Sequence, residues 1–203
     1  PPDAPPAAVA VVIDGSLSLR PLRSVIAQTL KGAARNTKLA AWIATDAAAR
    51  PLDLTLTDAG LAEADFTGGR EAIAALRAAL SWARSQPGPA TVVWLHGPQP
   101  ADLGDPAALD QMLEFGLRHI PLLDVPLVPG AHRLTEKLYR RSDLRGVEQM
   151  TDPASGLPSL FEAVTKGRQP PSLVTARQQE PPTSGTQTSD QLARYAAFAS
   201  TVA

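Results

Sequence analysis

The chain reads as an α/β three-layer sandwich, with a mostly parallel central sheet, one antiparallel edge strand and helices on both faces. Three observations predict it. Short apolar runs alternate with segments of helical periodicity, the order that builds a parallel sheet through crossover helices. The first run, residues 9–13 (V-A-V-V-I), is apolar throughout, as a strand buried on both faces must be. Residues 52–57 (L-D-L-T-L-T) instead alternate apolar and polar, the pattern of a strand with one wet face at a sheet edge.

The elements follow in order. After the first strand come Asp14-Gly15, and Arg20-Pro21 marks a turn into a helix carrying Leu22, Val25, Ile26 and Leu30. Gly32 and Asn36 end that helix, and residues 38–45 (K-L-A-A-W-I-A-T) form a second strand closed by Asp46. Beyond the edge strand, Gly68-Gly69 precedes a helix with Ile73, Leu76, Leu80 and Ala83 on one face. A glycine pair at that place lets the backbone approach whatever lies above the sheet. Residues 91–95 (T-V-V-W-L) are another buried strand, followed by the loop His96-Gly97-Pro98-Gln99-Pro100.

Asp105-Pro106 opens a helix in cap-then-proline order, with Leu109, Met112, Leu113 and Leu117 as its stripe. Residues 120–128 (I-P-L-L-D-V-P-L-V) are a proline-interrupted strand expected near an edge. A short helix with Leu134 and Leu138, a weak strand at 144–150 and a helix at 156–166 complete the pattern. From about Arg168 the composition turns to Pro, Gln, Ser and Thr, which cannot bury a core. The expected organisation is a linker at 1–8, a domain at 9–167, a Pro/Ser/Thr/Gln-rich linker at 168–188 and an amphipathic helix at 189–203. That helix, opened by Ser189-Asp190, either docks on the domain or starts the next one.

Bulk properties narrow the function. The chain has 203 residues, 44% of them hydrophobic, enough for one domain with a sizeable core. Its net charge of −1 supplies no field to attract nucleic acid or an anionic membrane. Without cysteine there are no disulfides, thiolate zinc sites or cysteine nucleophiles. No apolar stretch reaches the ~18 residues of a membrane span, so no membrane contact is expected of this segment. No signal peptide is apparent, and the P-P-D-A-P-P opening reads as a linker from a longer protein.

The chemistry concentrates at the C-terminal end of the first strand, where open α/β sheets bind ligands. Asp14, Ser16 and Ser18 are spaced D-x-S-x-S, placing one carboxylate and two hydroxyls within a turn. Three hard oxygens suit Mg²⁺ or a similar divalent cation. The same residues also fit a serine-rich turn in which Asp14 accepts backbone N–H groups. His96, His119 and His132 lack metal-ligand spacing. Ser16, His96 and Asp14 could be drawn as a triad, but the G-x-S-x-G elbow is missing. Trp42, Trp82 and Trp94 are expected in the core.

The run V-V-I-D-G-S-L-S resembles the first strand and metal-ion-dependent adhesion motif of a von Willebrand factor type A (VWA) domain. F-T-G-G-R-E-A-I-A-A-L and V-V-W-L-H-G-P-Q-P extend the likeness over residues 9–167. With P-L-V-P-G-A-H-R-L and S-D-Q-L-A-R-Y-A, it is most similar to bacterial VIT/VWA-domain proteins. The resemblance implies a Rossmann-like VWA sandwich, a protein-binding rather than enzymatic role, and a bacterial envelope setting. It also implies a cation held by Asp14, Ser16, Ser18 and a threonine. At the threonine's usual place, after the glycine pair, stands Arg70; Thr67 precedes the pair.

The family's second acidic position falls at His96, a poor match to Mg²⁺. Charges ~4 Å apart in partly buried surroundings interact by several kcal/mol, so Arg70 and a divalent cation should exclude each other. The leading expectation is that Arg70 pairs with Asp14 and replaces the metal. The rivals are a weak cation site built from Asp14, Ser16, Ser18, Thr67 and water, or Arg70 turned to solvent. A protein partner, or an adjacent domain of the same chain, would then meet Ser16, Ser18, Thr67, Arg70, His96 and Gln99 without metal. A small-molecule hydrolase or nucleotide-binding enzyme on a similar sheet is the alternative.

Overall fold

A computed structural model describes residues 8–46, 49–53, 61, 66–68, 72–99, 120–131, 134, 145–147, 150–168 and 173–175. Seven strands form one sheet: β1 (Ala8–Asp14), β2 (Lys38–Ala44), β3 (Ala49–Leu52), β4 (Ala90–His96), β5 (Leu122–Pro126), β6 (Arg145–Val147) and β7 (Leu173–Thr175). Their order is β3-β2-β1-β4-β5-β6-β7. Strands β2, β1, β4, β5 and β6 run parallel, while β3 and β7 are antiparallel to their neighbours. Three described helices cover the faces: α1 (Arg23–Ala33), α2 (Ala72–Arg84) and α3 (Pro153–Thr165).

The all-apolar β1 is central, and all seven of its residues are buried. Strand alternation sends Val9, Val11 and Ile13 to one core, with α1 and α3. Ala8, Ala10 and Val12 go to the other, against the alanine-rich face of α2. Trp94 is wholly buried in that second core. Trp42 and Trp82 meet edge to face, ring centroids 6.0 Å apart, and pack partly buried against it.

Several expectations change in detail. The antiparallel strand beside β2 is Ala49–Leu52, earlier than the alternating residues 52–57; positions 54–60 lie outside the described residues. The proline-interrupted strand is interior, between β4 and β6. Its prolines bracket rather than interrupt it: Pro121 precedes β5, and Pro126 is the final residue, where a missing N–H costs the ladder least. Strand β7 extends the sheet into the segment whose composition reads as linker. Helix α3 begins at Pro153, three residues before its expected start. Asp152 caps it, accepting Ala154 N–H at 3.1 Å and Ser155 Oγ–H at 2.6 Å, with Pro153 at the first position. The helices expected near 105–117 and 189–203, and most of that at 134–138, lie outside the described residues.

Candidate functional site

The C-terminal ends of β1, β2 and β4 meet at one edge of the sheet, because parallel strands end together. Strand β1 delivers Asp14, which is 2% exposed. One carboxylate oxygen accepts the Ser16 N–H at 2.9 Å and the other accepts the Gly97 N–H at 3.2 Å. Burial pushes the Asp14 carboxyl above its ordinary range, against the pull of the hydrogen bonds from Gly97 and Ser16. Ser16 and Ser18, both half-buried, join through their hydroxyls at 2.8 Å. Between them Leu17 is 63% exposed, the only large apolar side chain so exposed among the described residues.

Two glycines bring a third strand end and a loop against this turn. Gly15 N–H donates to Ala44 O at 2.9 Å, and Gly68 N–H donates to Gly15 O at 3.2 Å. A Cβ on Gly15 would overlap both the Ala44 and Gly68 carbonyl oxygens, so only glycine fits this crossing. Gly97 lies as close to the serines: a Cβ there would overlap Ser18 Oγ. Thr67 stands exposed beside Gly68. Arg70 and its expected pairing with Asp14 lie outside the described residues.

His96 ends β4, at the place expected, but has no exposed surface. Its ring turns inward on the α2 side, stacked on Trp94 with centroids 4.2 Å apart. Nε2 lies 2.7 Å from Asp124 Oδ1, and Nδ1 lies 3.0 Å from Gly97 O. Burial disfavours charge on His96, but the negative charge and hydrogen bond of Asp124, then the Gly97 carbonyl, outweigh it. The imidazole is held above its ordinary pKa. Gln99, also buried, donates its backbone N–H to Ala131 O at 2.6 Å, while its Oε1 has no partner.

Asp124 is the residue to which the sequence alone assigned no role. It sits 2% exposed on β5, opposite Trp94 in register. Its signal was present: a single carboxylate inside I-P-L-L-D-V-P requires a buried partner.

The groups brought together are thus Asp14, Ser16 and Ser18, with Gly97 laid on them; His96 and Gln99 lie beneath. For a divalent cation the fit is poor. Asp14 is the one carboxylate on the serine turn, both its oxygens already take backbone N–H groups, and the residue at the second acidic position is an imidazole bound elsewhere. Among the described residues no cluster of three or more His, Cys, Asp or Glu could hold a metal ion.

No protein-family model matches the chain, and no curated protein matches it. Solved structures do. A von Willebrand factor type A protein of Catenulispora acidiphila is 18% identical over 81% of this chain and 43% of its own, with a TM-score of 0.59. Proximal thread matrix protein 1 of the mussel byssus, with a zinc-occupied MIDAS motif, is 12% identical over 81% of this chain and 48% of its own, at 0.54. The ArnB paralog VWA2 of Sulfolobus acidocaldarius is 11% identical over 79% and 45%, at 0.51. The chain therefore spans less than half the length of each. At such identities the likeness is one of fold, and that fold is VWA-like.

Proposed function

We propose that this VWA-like domain is a protein-interaction module of a larger protein, and that it recognises its partner over the strand ends without a divalent cation. The reading joins two supports. Domains of this fold commonly bind proteins, and here exposed Leu17 and Thr67 flank the half-buried Ser16 and Ser18 at the strand ends. The observation that carries the metal-free half is the engagement of Asp14 by the Ser16 and Gly97 amides, with His96 turned away to Asp124. In this reading Arg70, which lies outside the described residues, would be the cationic group paired with Asp14. A carboxylate on a backbone-capped turn pairs readily with one guanidinium, and a guanidinium there excludes Mg²⁺. By the sequence resemblance described first, the parent is a bacterial VIT/VWA-type protein, with the partner a second protein or a neighbouring domain.

Thermal unfolding with Mg²⁺ or Mn²⁺ against chelator, on wild type and Arg70→Thr, tests this reading. A cation at ~100 times its Kd stabilises by ~2.7 kcal/mol. Wild type should melt at one temperature in all conditions, and Arg70→Thr should gain a cation-dependent rise. A rise in wild type would overturn the reading and make this a metal-dependent adhesion module.

A further inference from the structure

Sulfur chemistry in this chain is confined to two thioethers, because it has two methionines and no cysteine. Met112 lies outside the described residues; Met150 does not. Met150 stands two residues before Asp152, the cap of α3, and its side chain packs partly buried against the core under α1 and α3. It faces a glycine. A Cβ on Gly156 would come 2.5 Å from Met150 Sδ and would overlap its Cγ as well. The thioether therefore fills the notch that Gly156 leaves near the start of α3.

This contact sets how α3 begins. Glycine weakens a helix relative to alanine, and Gly156 stands inside α3. An apolar residue just ahead of a cap, packed on the fourth helical residue, fixes the angle at which the chain enters a helix. Gly156 is that fourth residue, and Met150 reaches it from one position further back than usual. The entry is also tied to the sheet. Met150 N–H donates to Pro126 O at 3.2 Å, and Pro126 pairs in register with His96 at the ends of β5 and β4. The thioether latch thus lies at the same end of the sheet as the serine turn.

We propose that Met150 is an oxidation-sensitive modification site, and that its conversion to the sulfoxide by a peroxide opens the entry to α3 at the strand-end edge. In this step a sulfur lone pair attacks one oxygen of hydrogen peroxide. The O–O bond breaks, an S–O bond forms, and the second oxygen leaves with both hydrogens as water. The sulfur loses two electrons and the peroxide gains them. Partial exposure lets peroxide reach the sulfur. The product is polar, chiral and one oxygen larger than the thioether. Against Gly156 there is no room for that oxygen, and on the core side its neighbours are apolar. The inference holds whether or not a cation reaches the serine turn.

A peroxide titration of the folded protein decides it, with peptide mass mapping and thermal unfolding at each step. Met150 should gain one oxygen while the protein is folded. The melting temperature should then fall by ~2–4 °C or more, tracking the sulfoxide fraction of Met150 and not that of Met112. Met150→Leu, a swap of similar volume, should keep its melting temperature under the same treatment. A Met150 that stays reduced until urea unfolds the chain would overturn the proposal, as would full oxidation with unchanged melting. An equal fall in Met150→Leu would do the same. Should that variant not fold, the sulfoxide fractions of the two methionines in wild type decide alone.

Discussion

The two faces of the sheet are built on different plans. The face under α1 and α3 is filled by Val9, Val11, Ile13, Val93, Leu95, Leu123 and Val125, met by Ile26, Leu30, Leu157, Leu160 and Phe161. The face under α2 is met by small residues, Ala72, Ala75, Ala79 and Ala83, and by the same alternation it receives Asp14, His96 and Asp124 near its upper edge. One face is held by hydrophobic burial, which tolerates exchange among shapes of similar volume. The other includes groups that are stable only with their partners in place. The candidate site grows from the second face, so its geometry should be more easily lost by a single substitution.

That contrast can be broken from either side. The largest effect is expected at Asp124. Asp124→Ala removes the carboxylate bonded to buried His96 Nε2 and should cost ~3–5 kcal/mol in urea unfolding, whereas His96→Phe/Asp124→Leu, which removes both members of that contact, should cost clearly less. If the double change costs as much as the single one, packing rather than charge holds that corner. On the apolar face, Leu160→Ala should cost ~2–5 kcal/mol and show no dependence on pH between neutral and mildly alkaline conditions.

Gly15→Ala comes next, at ~1–3 kcal/mol, because its Cβ meets two backbone carbonyls that cannot rotate away. Wild type should also lose stability as pH rises. The folded pKa of His96 is raised, so its contribution is complete below the unfolded histidine pKa and disappears as pH climbs through the folded value. Urea titrations at successive pH values should show this slope in wild type and not in His96→Phe/Asp124→Leu. The smallest effect is a gain: Gly32→Ala, late in α1 with nothing near its Cβ, should add ~0.5–1 kcal/mol.

Much of the fold was legible because it depends on periodicity. The apolar run of β1, the buried stripes of α1 and α2 and the strand T-V-V-W-L all fall where the pattern puts them. Features set by long-range choice were harder to read. Residues 52–57 alternate well, but the pairing with β2 uses Ala49–Leu52, and alternation cannot say which four residues are adopted. The interior place of β5 was hidden because two prolines suggest an edge until one sees that they bracket the strand. Asp152-Pro153 carried the cap-then-proline signal for α3, yet the apolar stripe drew attention three residues later.

At the site, D-x-S-x-S lies at the end of β1, where Asp14 takes the Ser16 and Gly97 amides. What sequence could not show was direction. Asp14 faces backbone amides, as its alternative reading as a serine-rich turn anticipates, and His96 lies at the expected position with its ring pointing down. Asp124, 28 residues away in sequence, gives that ring its partner. Only the pairing of β4 with β5 makes the two adjacent.

The central place of β1 also has a consequence during synthesis. Ala8 pairs with Lys38 on one side and Ala90 on the other, so the strand made first is completed by one made about eighty residues later. At typical translation rates of ~5–20 residues per second, the open flank of V-A-V-V-I waits several seconds for β4 to emerge from the ribosome. An unpaired, uncharged β-branched segment is adhesive over that interval. The nascent chain thus has its most exposed moment before the sheet closes around its first strand, and holdase chaperones should engage it there.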